Sequence, residues 1–371
     1  MRLSAEQVRW FRLRRSGLVE PFATPEEAAS QLVGVQAQIL PAAGLALWNR
    51  TPDFSHARYE ALLYEERTLV KLWAQRGTLH LYASPEWPLI HGALSGQQTW
   101  WERKTIQQNG DATAYKALIA QLESVLRERK TLGRSDLRAM NLPLDEWHLS
   151  SWGGVFAALV RHGYACHARQ TGGEGRFAHR EHWLPDLQWA PPSSDEANVA
   201  IARRYFRTYG PSTVRDLAYW RGMSMKQARQ ALTTLEDEVI NVTMGRQAFI
   251  LLKEDLERLC EPPPPRAEWP VHMLYRFDPL LLAHKDKSWL VAAEHYKRVW
   301  RPAGHIEGTI VEHGRLVGTW RYKRTSRHLS ITIDPFMPLP QHVQSIVEQK
   351  AKAIASFFGL ELTALIEKQK E

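Results

Sequence analysis

The sequence predicts a mainly α fold with β: three tandem helix-turn-helix units, each closed by paired strands, then a small barrel-like β section carrying a helix. Three observations predict it. Two helices broken at a glycine and followed by strands recur along the chain, most clearly around Gly34 and Gly222. Two proline-rich stretches, PDLQWAPPSS over 185–194 and EPPPP over 261–265, read as linkers. Beyond the second linker, helical periodicity gives way to strand-like alternation. The expected divisions are 1–84, 85–190 and 191–260 for the helical units and 261–371 for the β section.

In the first unit, Ser4 caps a helix expected over 4–16, with Val8, Phe11 and Leu13 as its apolar stripe. Arg9, Arg12, Arg14 and Arg15 take much of the other face, and a solvated face or phosphate contact would suit them equally. Thr24, Pro25, Glu26 and Glu27 open a second helix, with a cap, a first-position proline and acids in the first turn. It runs to Val33, breaks at Gly34, and another helix is expected over 39–48. The segment TLVKLWAQRGTLHLY, 68–82, has strand-like ends around Arg76-Gly77 and would serve as the wing of a winged helix. Arg76 and His80 are candidates to face the same cleft as the Gly34 region, although a surface arginine and a satisfied histidine explain them as well.

The second unit is expected to be largely helical over 85–129 with a break at Asn109-Gly110, a helix capped by Ser135, and an amphipathic helix over 152–162. Strands follow over 164–170 and 176–181. His179 and His182 carry no further ligands near them, so zinc is set aside. The third unit is the clearest winged helix: helices over 197–209 and from Ser212 to Trp220, a third capped by Ser224, then strands over 239–243 and 247–251. In the β section, hairpins are expected around His313-Gly314 and between 320–324 and 329–333. The second hairpin carries Arg321, Lys323, Arg324, Arg327 and His328, which could clamp a nucleic-acid backbone or merely keep the hairpin soluble. An amphipathic helix over 341–358 closes the chain.

Composition narrows the partners. Of 371 residues, 44% are apolar and 24% charged, as in ordinary globular proteins. Lys and Arg number 48 against 40 Asp and Glu, a net charge of +8 that favours a polyanion. Residues 261–330 hold twelve Lys/Arg and seven Asp/Glu, so most of the excess is there. Fifteen tryptophans supply both core volume and flat faces for stacking on bases. Two cysteines, Cys166 and Cys260, argue against a disulfide framework. The charged start MRLSAEQVRWFRLRRSGL has no signal-peptide core, and no run approaches the ~20 apolar residues of a membrane span. A cytoplasmic protein with no membrane association is expected.

The chemically distinctive stretch is GVQAQ, where Gln36 and Gln38 sit in apolar surroundings. Buried amides need partners for all their donors and acceptors. In extended backbone the two would point to one side and could hold a small molecule between them. In a helix they would lie roughly 200° apart, and bonding to backbone at a helix start would account for both.

Several segments together, GVQAQILPAAGLALWNR, LWAQRGTLHLY, YGPSTVRDLAYWRG, FDPLLLAHKDK, GTIVEHGRLVGTW and SITIDPF, resemble the bacterial winged-helix family that includes the AlkZ and AlkX DNA glycosylases. The resemblance covers nearly the whole chain in the family's order. It implies three tandem winged-helix motifs with a C-terminal β-barrel around a DNA-binding cleft. It also implies excision of bulky N-alkylated purines, unhooking of interstrand crosslinks, and a catalytic glutamine-x-glutamine motif matched here by Gln36 and Gln38. Some relatives carry Asp at the second position, which places this chain nearer the AlkZ-like branch. With no lysine beside the glutamines, a monofunctional glycosylase without lyase activity is expected. The expected partner is duplex DNA with alkylated or crosslinked purines, contacted by Arg76, His80, Arg324, Arg327 and His328. No cofactor or metal is expected, the enzyme would be a monomer, and a bacterial, nucleoid-associated location follows. The competing class is a non-catalytic winged-helix DNA-binding protein or transcription regulator.

Overall fold

In the computed structural model, which describes residues 2–140, 142 and 144–368, the chain is a mixed α/β protein that divides into two units. One joins everything up to Tyr59 with everything from Val199 onward; the other is the continuous stretch Glu60–Asn198.

The discontinuous unit is held together by its first helix. Ser4 and Gln7 form a reciprocal capping box, and the helix Ala5–Arg15 follows. Val8 and Phe11 enter one apolar core with Val242, Phe249, Leu251 and Leu259. Leu13, together with Leu18, enters a second core with Leu274, Leu281, Leu290, Val311 and Phe336. A helix with apolar residues on two sides must be covered on both. Arg2 and Leu3 extend this by pairing in parallel with Thr243 and Met244, so the strands Val239–Met244 and Gln247–Leu252 gain a third member.

Three of the four arginines of that helix are neither a solvated face nor a free cationic surface. Arg12 is buried, donates to the Pro211 carbonyl and lies 4.4 Å over the Trp289 ring. Arg14 pairs with Glu20 and Glu261, and Arg15 with Asp255.

The C-terminal sheet has five strands in the spatial order His272–Leu274, Gly308–Glu312, Arg315–Arg324, His328–Pro335 and Glu361–Glu367. The first four are antiparallel neighbours, and the last runs parallel to His328–Pro335. Among the described residues no pairing joins the first strand to the last, so the sheet is open rather than a closed barrel. The parallel strand is reached through the helix Gln341–Phe357, because parallel neighbours need a crossover. Val343, Val347, Ala351, Ile354 and Phe357 are buried, the stripe expected of a helix with one covered face.

In the second unit, Leu69–Trp73 and Leu79–Ala83 form an antiparallel hairpin. The long helix Thr113–Arg129 and the helix Gly154–Arg161 accompany a small sheet in the order Thr131–Leu132, Glu174–His179, Ala165–Thr171. Phe156 stacks on Phe177 at 4.1 Å, and Trp73 stacks on the same ring at 5.8 Å. The expected linker at 185–194 is anchored: Trp189 meets Trp87 edge-on and carries the Arg180 guanidinium over its face at 3.9 Å. His179 bonds Glu123 at 3.1 Å, and His182 faces the Arg127 carbonyl at 2.9 Å.

Burial sets an acid limit on stability. Burial, helped by the charges of Lys350 and Arg50, pushes His272 down to about 3, and burial holds His167 and His284 well below the usual histidine range. These groups stay neutral in the folded chain but gain protons near pH ~6.5 once unfolded, so unfolding takes up protons and stability falls with pH. The melting temperature is expected to drop as pH falls from neutrality through the ordinary histidine range. His272→Gln should make that slope shallower by about one proton, or ~1.4 kcal/mol per pH unit. A profile flat through that range would contradict this account.

Candidate active site

The glutamine segment lies in the discontinuous unit and is fixed from both ends. Upstream, the helix Pro25–Gln31 begins at a Thr24 cap and stops where Val33 and Gly34 both take positive φ, +53° and +92°. The Gly34 amide reaches back to the Ala29 carbonyl at 2.9 Å, closing the helix and turning the chain outward. That turn is tied to the helix Ser194–Tyr209 by two hydroxyls: Thr208 donates to the Gln31 carbonyl at 2.6 Å and Tyr209 to the Leu32 carbonyl at 2.9 Å.

Downstream the chain enters the helix Leu40–Trp48 at Ile39, a cap with no side-chain hydrogen bond. Its far end is anchored by Arg50, fully buried against fully buried Asp278. The guanidinium makes two parallel 2.8 Å bonds to the carboxylate, and donates as well to the Ser16 carbonyl at 2.7 Å and the Ala46 carbonyl at 2.8 Å. Asn49 adds bonds to the Leu45 and Met273 carbonyls. Midway, Gly44 leaves room for two rings: a Cβ there would stand 3.1 Å from Tyr59 and 3.2 Å from Phe357. The motif helix thus packs against the closing helix of the chain.

Between these anchors, Val35–Gln36 is a short strand, Ala37 is fully buried, and the backbone bends at Gln38. Gln36 is 7% exposed while Gln38 is exposed. The two amides therefore occupy different surroundings, one inside the protein wall and one at its surface. The segment is not helical at either glutamine, and Gln38 stands just before the cap of the helix Leu40–Trp48.

The other candidates fall into two groups. Arg324, Arg327 and His328 stand together at the exposed tip of the hairpin formed by Arg315–Arg324 and His328–Pro335, in the same unit as the glutamines. The Thr325 hydroxyl accepts from the Arg327 and His328 amides and shapes the turn. Arg324 lies 5.3 Å over Phe358, and His328 stands 3.9 Å from Glu361. Among the described residues no carboxylate pairs with Lys323, Arg324 or Arg327, so their charges face outward. Arg321, expected with them, turns instead to Glu307.

Arg76 and His80 belong to the second unit. Arg76 occupies the turn of the Leu69–Trp73 and Leu79–Ala83 hairpin with φ +55°, beside Gly77 at +68°. His80 is 1% exposed, with its Nδ1 3.2 Å from the Thr78 carbonyl oxygen. Sequence reasoning missed Arg50, Asp278, Thr208 and Tyr209, which brace the motif from distant segments. Arg50 ends the GVQAQILPAAGLALWNR segment, Tyr209 begins YGPSTVRDLAYWRG and Asp278 lies in FDPLLLAHKDK, but nothing in those runs announces which residue meets which.

The comparisons with known proteins bear on this arrangement. The family profile described as "DNA glycosylase AlkZ-like" matches residues 29–357, a span that includes the glutamine segment, its anchors and the basic hairpin. The chain belongs to this family of DNA glycosylases, enzymes that hydrolyse the bond between a base and its sugar. It is 31% identical to a Streptomyces sahachiroi protein named interstrand DNA cross-link repair glycosylase, over 97% of this chain and 98% of that one. Its fold is similar to that of the Streptomyces sahachiroi DNA glycosylase AlkZ, with a TM-score of 0.83 and 26% identity, over 99% of this chain and 100% of that one.

The anchoring of the motif helix can be tested directly. Removing one member of a buried ion pair leaves the other charged and unpaired, which costs about 3–5 kcal/mol. Arg50→Ala and Asp278→Ala should each lower the urea midpoint strongly. The double change Arg50→Met with Asp278→Leu should lower it less than either single one. Equal or greater loss in the double variant would show that the pair itself, rather than the stranded charge, carries the effect.

Proposed function

We propose that this enzyme hydrolyses the N-glycosidic bond of N-alkylated purines in duplex DNA, and unhooks interstrand crosslinks formed through such bonds, with Gln36 and Gln38 holding the nucleophilic water. The observation that carries this reading is a pair of amides two residues apart on a non-helical segment braced at both ends, one buried and one exposed. The crosslink arm is supported by the name of the Streptomyces relative.

The chemistry follows from the leaving group. A purine alkylated at N7 or N3 is cationic, so its glycosidic bond is already weakened and the base departs neutral. The enzyme then needs little proton transfer. It needs a water held on the correct face of an oxocarbenium-like sugar, and dipoles that stabilise that sugar's charge. Glutamine suits this work: its carbonyl accepts from water, its amide donates, and it has no proton to lose near neutrality. The buried Gln36 is placed to be rigid, and the exposed Gln38 to meet substrate. The absence of a lysine beside them in the sequence supports a monofunctional reaction that ends at an abasic site.

In this reading the helix-glycine-helix segments with their hairpins are three tandem winged helices, and the open C-terminal sheet is a fourth element. Arg76, His80, Arg324, Arg327 and His328 then contact the duplex, and the enzyme acts as a monomer. The unpaired charge of the Arg324 and Arg327 tip supports a backbone contact there.

The test is single-turnover base release from duplex DNA carrying one N7-alkylguanine, and from a nitrogen-mustard crosslink. Gln36→Ala and Gln38→Ala should each lower the rate by about 10²-fold or more, the scale of losing one preorganised transition-state contact, with DNA affinity kept. Wild-type levels of release in both variants would remove the glutamines from the mechanism.

A second readout separates positioned water from general-base catalysis. With amides as the only groups on the water, the single-turnover rate should be flat from about pH 6 to 8. A rate that climbs tenfold per pH unit would mean that a titrating base takes the proton, and the two-amide reading would fall.

A further inference from the structure

The C-terminal sheet carries a second charged constellation, built from segments far apart in sequence. Glu307 is 1% exposed and sits at the entry to the strand Gly308–Glu312. Arg321 donates to it through two nitrogens, its Nε at 2.8 Å from Oε2. Arg301 Nε stands 2.9 Å from Oε1, His305 Nε2 3.5 Å from the same oxygen, and Arg276 Nη2 3.8 Å from Oε2. One carboxylate thus gathers three guanidinium groups, leaving two positive charges uncompensated even before the histidine is counted.

Two further observations show that this is more than an internal ion pair. First, the donors outnumber the acceptors. A carboxylate offers roughly four lone-pair sites, whereas three guanidinium groups carry about fifteen N–H bonds. Arg276 Nε is buried without a hydrogen-bond partner, and Arg301 and Arg321 keep side-chain exposures of 48% and 49%. Second, the neighbouring Arg298 has an acidic partner of its own, Asp334 at 2.7 Å, whereas these three arginines share one. Burial raises the Glu307 carboxyl, but the Arg321 hydrogen bonds and the charges of Arg321, Arg301 and His305 outweigh it, so the group is held below the usual range and stays ionised.

We infer that Arg276, Arg301 and Arg321, gathered by Glu307, form a clamp for a backbone phosphate of the DNA substrate. Like charges held together against their mutual repulsion make a preorganised site for an anion, and planar forked donors match the oxygens of a phosphodiester. Lys323 lies two residues beyond Arg321 on the same strand, on the same face and exposed. It extends the positive track toward the Arg324 and Arg327 tip. Glu307 is here a positioning residue: it spends one charge to hold three others in register.

The inference rests on the proposed action on duplex DNA, and the test separates the two. Affinity for an undamaged duplex and for one bearing an alkylpurine is measured by fluorescence anisotropy across a salt series, with base release followed in parallel. Arg301→Gln and Arg276→Gln should each reduce the slope of log K against log salt by about one, and weaken both duplexes alike. Arg298→Gln, an arginine with a single acidic partner, should keep the wild-type slope. Wild-type slopes in both Arg301→Gln and Arg276→Gln would overturn the clamp, even with base release intact in the wild type. So would thermal protection by inorganic phosphate that these changes abolish while the DNA slope stays put, since the site would then take free anion only. A reduced slope together with a wild type that releases no base would keep the clamp and overturn the glycosidic reading instead.

Discussion

The buried Arg50–Asp278 pair is the constraint on which the rest of the first unit depends. A guanidinium with no solvent exposure must find acceptors for its donors, and it finds them in three separate places: the end of its own helix, the turn after the first helix, and Asp278, just past the first strand of the C-terminal sheet. Each acceptor fixes a different part of the unit. The loop positions the N-terminal helix, the carboxylate positions the C-terminal sheet, and the helix carries the glutamines. Tyr209 and Thr208 perform the matching task at the other side of the motif through hydroxyls rather than charge.

Much of this architecture was legible because local signals are strong. Capping residues at Ser4, Thr24 and Ser224 announced helices that begin where expected, and the strands expected over 239–243 and 247–251 form a hairpin. The closing helix starts at Gln341 as expected and ends at Phe357, one residue short of the expected 358. What local signals could not show was pairing across long separations. Arg2 and Leu3 are too short to read as a strand, and Glu361–Glu367 follows a helix with no turn partner of its own. Both become strands only because a distant edge receives them, which is a tertiary effect.

The candidate site divides along the same line. The glutamines stood out from composition alone, since two amides in apolar company need a reason. Their extended backbone came from Val33 and Gly34, whose consecutive positive φ angles are invisible in a run of ordinary residues. The arginines misled in both directions. Three of those in the first helix looked like a solvated or phosphate-binding face and are consumed internally, whereas Arg276 and Arg301, which no sequence motif singles out, surround Glu307. Counting charges reveals an excess; only the fold says which charges remain available.

The division of the chain has a consequence for its synthesis. The stretch Glu60–Asn198 is continuous, so every residue of that unit is present soon after it leaves the ribosome. The first unit is in a different position. Leu3, Val8 and Phe11 are made first, yet their core partners lie at Val242, Phe249 and Leu259, and Arg50 waits for Asp278. The segment carrying the glutamines is therefore among the earliest parts translated and among the last to be locked. A nascent chain cannot have a fully braced glutamine segment until the greater part of the protein has been made.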